Sequence, residues 1–128
     1  MSHSEWLRLD NERAHLRRRW ADFFREYDLL LCPAAASAAQ PHDHEGERWT
    51  RTVTVNDKEV LATDQLFWAG ISGVVYLPST IAPAGFTRSK LPVGIQIIGP
   101  NYGDHTCIEF AYLIEKEFGG FVPPPGYD

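Results

Sequence analysis

The serines of this chain stand at positions 2, 4, 37, 72, 79 and 89 and its lysines at 58, 90 and 116, and together they are its candidate nucleophiles and amine bases. A serine attacks a carbonyl only when a base lies within hydrogen-bond reach and donors, usually from a glycine-rich turn, face the developing oxyanion. The spacing assembles no such set. Gly70, Ile71, Ser72 and Gly73 begin a G-x-S-x-G pattern, but Val74 stands where the last glycine belongs, so Ser72 reads as a small helix residue. Ser89 and Lys90 share one polar turn, and sequence neighbours seldom activate each other; a solvated turn is the expectation.

Metal and thiol chemistry are also represented. His42, Asp43 and His44, with Glu45 and Glu47, are the right ligand types for a divalent cation, but their spacing matches no closed structural site and reads as a surface loop. His3 and His15 have no evident partner and receive no role. Cys32 ends an apolar run and Cys107 opens a helix, so both read as reduced packing residues.

The elements that must position these groups follow from periodicity. From Ser2 to Tyr27, the residues Trp6, Leu9, Leu16, Trp20, Phe23 and Tyr27 recur at helical steps, and Ser2 with Glu5 forms a capping box. Arg17, Arg18 and Arg19 share that helix with Asp10, Glu12, Asp22 and Glu26, which predicts a solvated ion-paired face. Asp28 to Cys32 is a short apolar run ended by Pro33, hence a buried strand, and Ala34 to Arg48 is an irregular loop. Thr52 to Ala62 alternates around Asn56 and Asp57, which predicts a small hairpin. Thr63 or Asp64 then caps a helix through Leu66, Phe67, Trp68 and Ile71, which Gly70 and Gly73 weaken as close-packing points or as its end. Asp104 caps a last helix that Gly119 and Gly120 stop, and the proline-rich tail from Phe121 to Asp128 is expected to lie extended over the surface.

The chain is organised around Leu77 to Pro100, where the apolar runs Ser79 to Pro83 and Val93 to Ile98 flank a polar link. Two paired strands follow, the second an inner strand buried on both faces, with prolines 78, 83, 92 and 100 at the strand ends. LPSTIAPAG, then LPVGIQIIGPNYGD, a helix and GGFVPPPG together resemble the carboxy-terminal end of the amidase signature family, serine hydrolases that cleave amide bonds. WADFFREYDLLLCPAAASAAQPHD resembles the helix, strand and proline-bearing loop that precede that end. The pieces stand in the family's order and cover nearly the whole chain.

That resemblance implies an α/β fold, a mixed β-sheet flanked by helices like the carboxy-terminal part of the three-layer α/β/α amidase signature fold. It also implies that residues 1–128 form one domain, the carboxy-terminal segment of an amidase-like enzyme. The family works through a serine nucleophile, a second serine in a cis peptide and a lysine base, in segments upstream of the part resembled, so the triad is expected to be missing and the chain inactive alone. Neither cofactor nor metal is implied. Asp64, Gln65 and Trp68 share a face. Taken singly, Asp64 is a cap and Trp68 a core residue; by the resemblance, this helix lines the substrate cleft, Asp64 meeting a polar substrate group and Trp68 walling the pocket. A stand-alone binding or regulatory protein derived from such an enzyme is the alternative.

Composition bounds these readings. With 128 residues, 44% of them hydrophobic and 23% charged, the chain is long enough for its own core. A net charge of -5 argues against nucleic-acid binding, and the apolar runs are too short to span a bilayer, so a cytoplasmic location is the default. The expected substrate is a small amide, bound only together with the missing amino-terminal part. An open sheet edge and uncovered apolar surface predict a homo-oligomer, a two-fold dimer.

Overall fold

In the computed structural model, which describes residues 1–127, the central hairpin forms as the apolar runs predict. Its strands are β4 (Ser79–Phe86) and β5 (Pro92–Ile98), preceded by α1 (His3–Phe23), β1 (Leu30–Pro33), β2 (Thr52–Val55), β3 (Lys58–Leu61) and α2 (Leu66–Val75), and followed by α3 (Asp104–Phe118). β5 lies between β1 and β4, so it is an inner strand, and Ile97 and Ile98 are fully buried in it. Opposite Ile97 stand Leu31 and Thr80, and opposite Gln96 stand Cys32 and Ile81. Ile97 and Ala82 pack with Cys107 of α3, backed by Ile95, Phe110, Ala111 and Ile114. Gln96, of the opposite parity, turns to α2. The sheet is therefore sandwiched between α3 on one face and α2 on the other.

Several expectations are corrected. The sheet is not mixed among the described residues: every pairing is antiparallel, because β1 and β4 both flank β5 and each runs against it. Pro83 does not end β4, which bends through a bulge between Pro83 and Gly85 and continues to Phe86; an edge strand tolerates the missing donor. Pro33, by contrast, is the last residue of β1, as the apolar run predicts. That strand is an edge with one neighbour, so Leu31 remains 45% exposed rather than buried. Neither Thr63 nor Asp64 caps a helix: a 3-10 turn over Ala62–Gln65 leads into α2 with no side-chain cap. Asp104 is the first residue of α3 rather than its cap, which is Gly103.

Other local readings hold. Ser2 caps α1 through the reciprocal bonds with Glu5, at 3.2 and 2.6 Å. That geometry holds the Glu5 carboxyl below its usual range, because backbone and hydroxyl donors of Ser2 favour the carboxylate. Asn56 and Asp57 take the left-handed conformation that a tight hairpin turn requires, and Gly119 ends α3 with φ of 90°. Gly70 and Gly73 neither end α2 nor pack closely; a Cβ at either would meet nothing within 4 Å. The tail is not laid down over the surface, and it ends in a turn: Phe121 is 78% exposed, the Tyr127 amide donates to the Pro124 carbonyl at 3.1 Å, and Asp128 lies outside the described residues.

Candidate functional site

The start of α2 is where the loop, the small hairpin and the main sheet converge. The β2–β3 hairpin delivers the chain into the 3-10 turn, and the Ala62 amide donates to the Arg51 carbonyl at 2.8 Å, closing the hairpin's base. Gln65 then holds the loop that follows β1. Its Oε1 accepts from the Ala36 amide at 2.8 Å, and its Nε2 donates to Ser37 Oγ at 3.2 Å. Gln40 Nε2 donates to the same hydroxyl at 3.0 Å and to the Thr54 carbonyl at 3.4 Å. From the sheet side, Gln96 Nε2 donates to the Trp68 carbonyl at 3.4 Å, which satisfies a side chain only 2% exposed.

Within this frame Asp64 is exposed on the 3-10 turn and Trp68 is half-buried in the first turn of α2. The Trp68 ring stands edge to face with Phe67 at 5.2 Å. Among the described residues the Asp64 carboxylate makes no ion pair, so an acceptor and an aromatic wall are both presented close to one helix start. That combination can orient a polar group while covering an apolar one. Gln65 and Gln96, which position the helix, received no role from sequence. The signal for Gln96 was a lone amide in an apolar strand, which must find a partner if buried.

The remaining candidates are placed apart. Ser72 is buried, and its hydroxyl lies 3.3 Å from that of Ser79 and 3.5 Å from the Ala69 carbonyl. Among the described residues no hydrogen bond joins a serine hydroxyl to a lysine or histidine. Ser89 instead meets Thr87 Oγ1 at 2.9 Å in the exposed turn where Lys90 has φ of 63°. His42 and His44 stand exposed with their rings 5.7 Å apart. The ion-paired face expected around Arg17 to Arg19 is only partly formed, since the ion pairs of α1 and its end are Arg13 with Asp10 and Arg25 with Asp22. Arg17 lies over the Tyr76 ring instead, at 5.4 Å.

The model of the Amidase family matches residues 1–108. The chain belongs to the amidase family. Among its relatives, fatty-acid amide hydrolase 2-B of Danio rerio is 26% identical over 88% of this chain and 19% of its own length. A glutamyl-tRNA(Gln) amidotransferase subunit of Granulibacter bethesdensis is 32% identical over 87% of this chain and 20% of its own. The same subunit of Brucella ovis is 29% identical over 92% and 22%. The chain thus spans about a fifth of the length of the curated relatives it matches.

Proposed function

We propose that this chain is the carboxy-terminal portion of an amide (C–N) hydrolase, where it completes the sheet of a three-layer α/β/α fold and supplies one wall of the substrate cleft. The observation that carries this reading is α2. Its sequence LFWAGISGVV is apolar on every side, yet Leu66, Phe67 and Val74 are 54%, 65% and 53% exposed. A helix without a polar face is one meant to be covered all round. The outer edges of β1 and β4, which pair with no further strand among the described residues, support the same reading.

In this reading the nucleophilic serine, the cis-peptide serine and the lysine lie on other sequence, and the chain is inactive alone. Asp64 contacts a polar group of the substrate and Trp68 covers an apolar one. The substrate is an amide, in keeping with relatives whose names specify a fatty-acid amide hydrolase and an amidotransferase. No helix among the described residues is long and apolar enough to cross a membrane, and a cytoplasmic location belongs to the same proposal. The test is to treat the purified chain with a serine-directed fluorophosphonate. No serine is expected to be modified, and stoichiometric modification of Ser72, Ser79 or Ser89 would contradict the reading.

A further inference from the structure

α1 meets the rest of the chain through a side that does not close against it. Ala14, Arg17, Arg18 and Ala21 share that side at helical spacing, and no residue of the helix is buried. Between this side and the body lies a recess of about 590 Å³, the size of a small-molecule site. Ala14, Ala21, Phe24, Val75, Leu77 and Pro100 give it apolar walls, and Val75 is only 1% exposed. Ala14 and Ala21 stand about two turns apart on the helix, and their short side chains leave the space open.

The charged members of the lining are of one sign. Arg17, Arg18 and Asn101 complete it, and no carboxylate belongs to it. Among the described residues neither arginine takes part in an ion pair, since the pairs formed are Arg13 with Asp10 and Arg25 with Asp22. Arg17 lies over the Tyr76 ring at 5.4 Å. Arg18 Nε donates to the Ala14 carbonyl at 3.4 Å, and a terminal nitrogen of Arg18 stands 3.5 Å from His15 Nδ1. A guanidinium carries five N–H donors, so both side chains keep donors for a ligand. Two cations beside an apolar wall, without a counter-charge, match an anion that has an apolar body. The planar guanidinium fork fits a carboxylate through two parallel bonds. A covering layer of protein would lie on an outer surface such as that of α2, whereas this recess lies between two parts of the chain itself.

We propose that the recess between α1 and the body is a binding site for a small amphipathic carboxylate, its apolar body lying against Phe24, Val75 and Leu77 and its head held by Arg17 and Arg18. The site stands apart from the amide-hydrolase reading, because every residue that forms it belongs to this chain.

The test uses octanoate as the probe, with octanol, of the same chain length and no charge, beside it. Calorimetric titration of the 128-residue chain should show octanoate binding at roughly millimolar concentration or below. Octanol should bind about tenfold more weakly, because it forgoes the charge-assisted bonds. No binding of octanoate in that range, or equal binding of the two, would overturn the proposal. The Arg18 guanidinium bonds only within α1, so Arg18→Gln should leave the near-ultraviolet circular dichroism unchanged. That variant should bind octanoate about tenfold more weakly and octanol as before. Unchanged octanoate binding would place the site elsewhere and overturn the proposal as well. Phenylglyoxal labelling in a dialysed lysate of producing cells tests the protein at its native length. Arg17 and Arg18 should be modified and should be protected by octanoate but not by octanol, while Arg8, outside the recess, reacts equally throughout. If Arg8 reacts but Arg17 and Arg18 stay unmodified without octanoate, further sequence fills the recess and the proposal fails.

Discussion

Cys32 and Cys107 serve opposite faces of the sheet and are both free thiols: Cys32 is 8% exposed on β1, beside Gln96, and Cys107 is fully buried under the β5–α3 corner. Burial pushes both thiols above their ordinary value of 9.0, and for Cys107 the neighbouring Asp104 carboxylate adds to the shift. The folded chain thus retains protons that the unfolded chain releases. The contribution to stability is full below pH 9.0, the ordinary thiol value, and falls as the pH rises past it. Urea midpoints are expected to drop above that pH, and to drop less when both cysteines are replaced by alanine. Alkylation by iodoacetamide should be slow until the chain is unfolded. Their role as reduced packing residues was legible from sequence, because one ended an apolar run and the other opened an apolar helix face. The caps were not legible. Thr63, Asp64 and Asp104 have the right chemistry for the N-cap, but the hairpin enters α2 through a 3-10 turn and the Pro100–Gly103 turn sets the start of α3.

Glycines separate two kinds of element contact. A Cβ at Gly99 would sit 2.6 Å from Cys107 Sγ and 3.3 Å from the Gly103 carbonyl oxygen, where α3 turns in against β5. Neither neighbour can yield, so Gly99→Ala should cost about 1–3 kcal/mol in urea unfolding. Gly73 stands in α2 with nothing within 4 Å of an added Cβ. Gly73→Ala should therefore stabilise this chain by about 0.5–1 kcal/mol, through helix propensity and a less flexible unfolded state. Both effects would come out of one set of denaturation curves, and a gain at Gly99 or a loss at Gly73 would contradict the packing described. The sequence made the two hairpins, the inner position of β5 and all three helices readable, because each depends on local periodicity and turn chemistry. It did not reveal that Gln65, twenty-nine residues from Ala36, ties down the loop after β1, since a long-range amide contact leaves no local pattern. Asp64 and Trp68 were readable as neighbours on one helix start, and a substrate role for them belongs to the proposed function.

At the scale of the molecule, the core is small but the cover is uneven. Ala82, Ile97 and Cys107 pack under α3, and Ile98 and Val75 are buried on the α2 side, whereas the outer surface of α2 is bare. Membership of the amidase family and a span of about a fifth of the relatives' length account for that asymmetry if further sequence covers α2 and extends the sheet beyond β1. In such an assembly the methyl of Gly73→Ala would meet that covering layer, so its sign there should reverse. The measurement that tests the account most directly is made on cells that produce the chain. A lysate is labelled with a biotinylated fluorophosphonate, captured, and blotted with antibody raised against residues 1–128. The account predicts a captured band several times larger than 14.5 kDa. A captured band at 14.5 kDa would mean that the chain carries its own nucleophile, and an uncaptured band at that mass alone would mean that it is not part of a hydrolase; either would contradict the account.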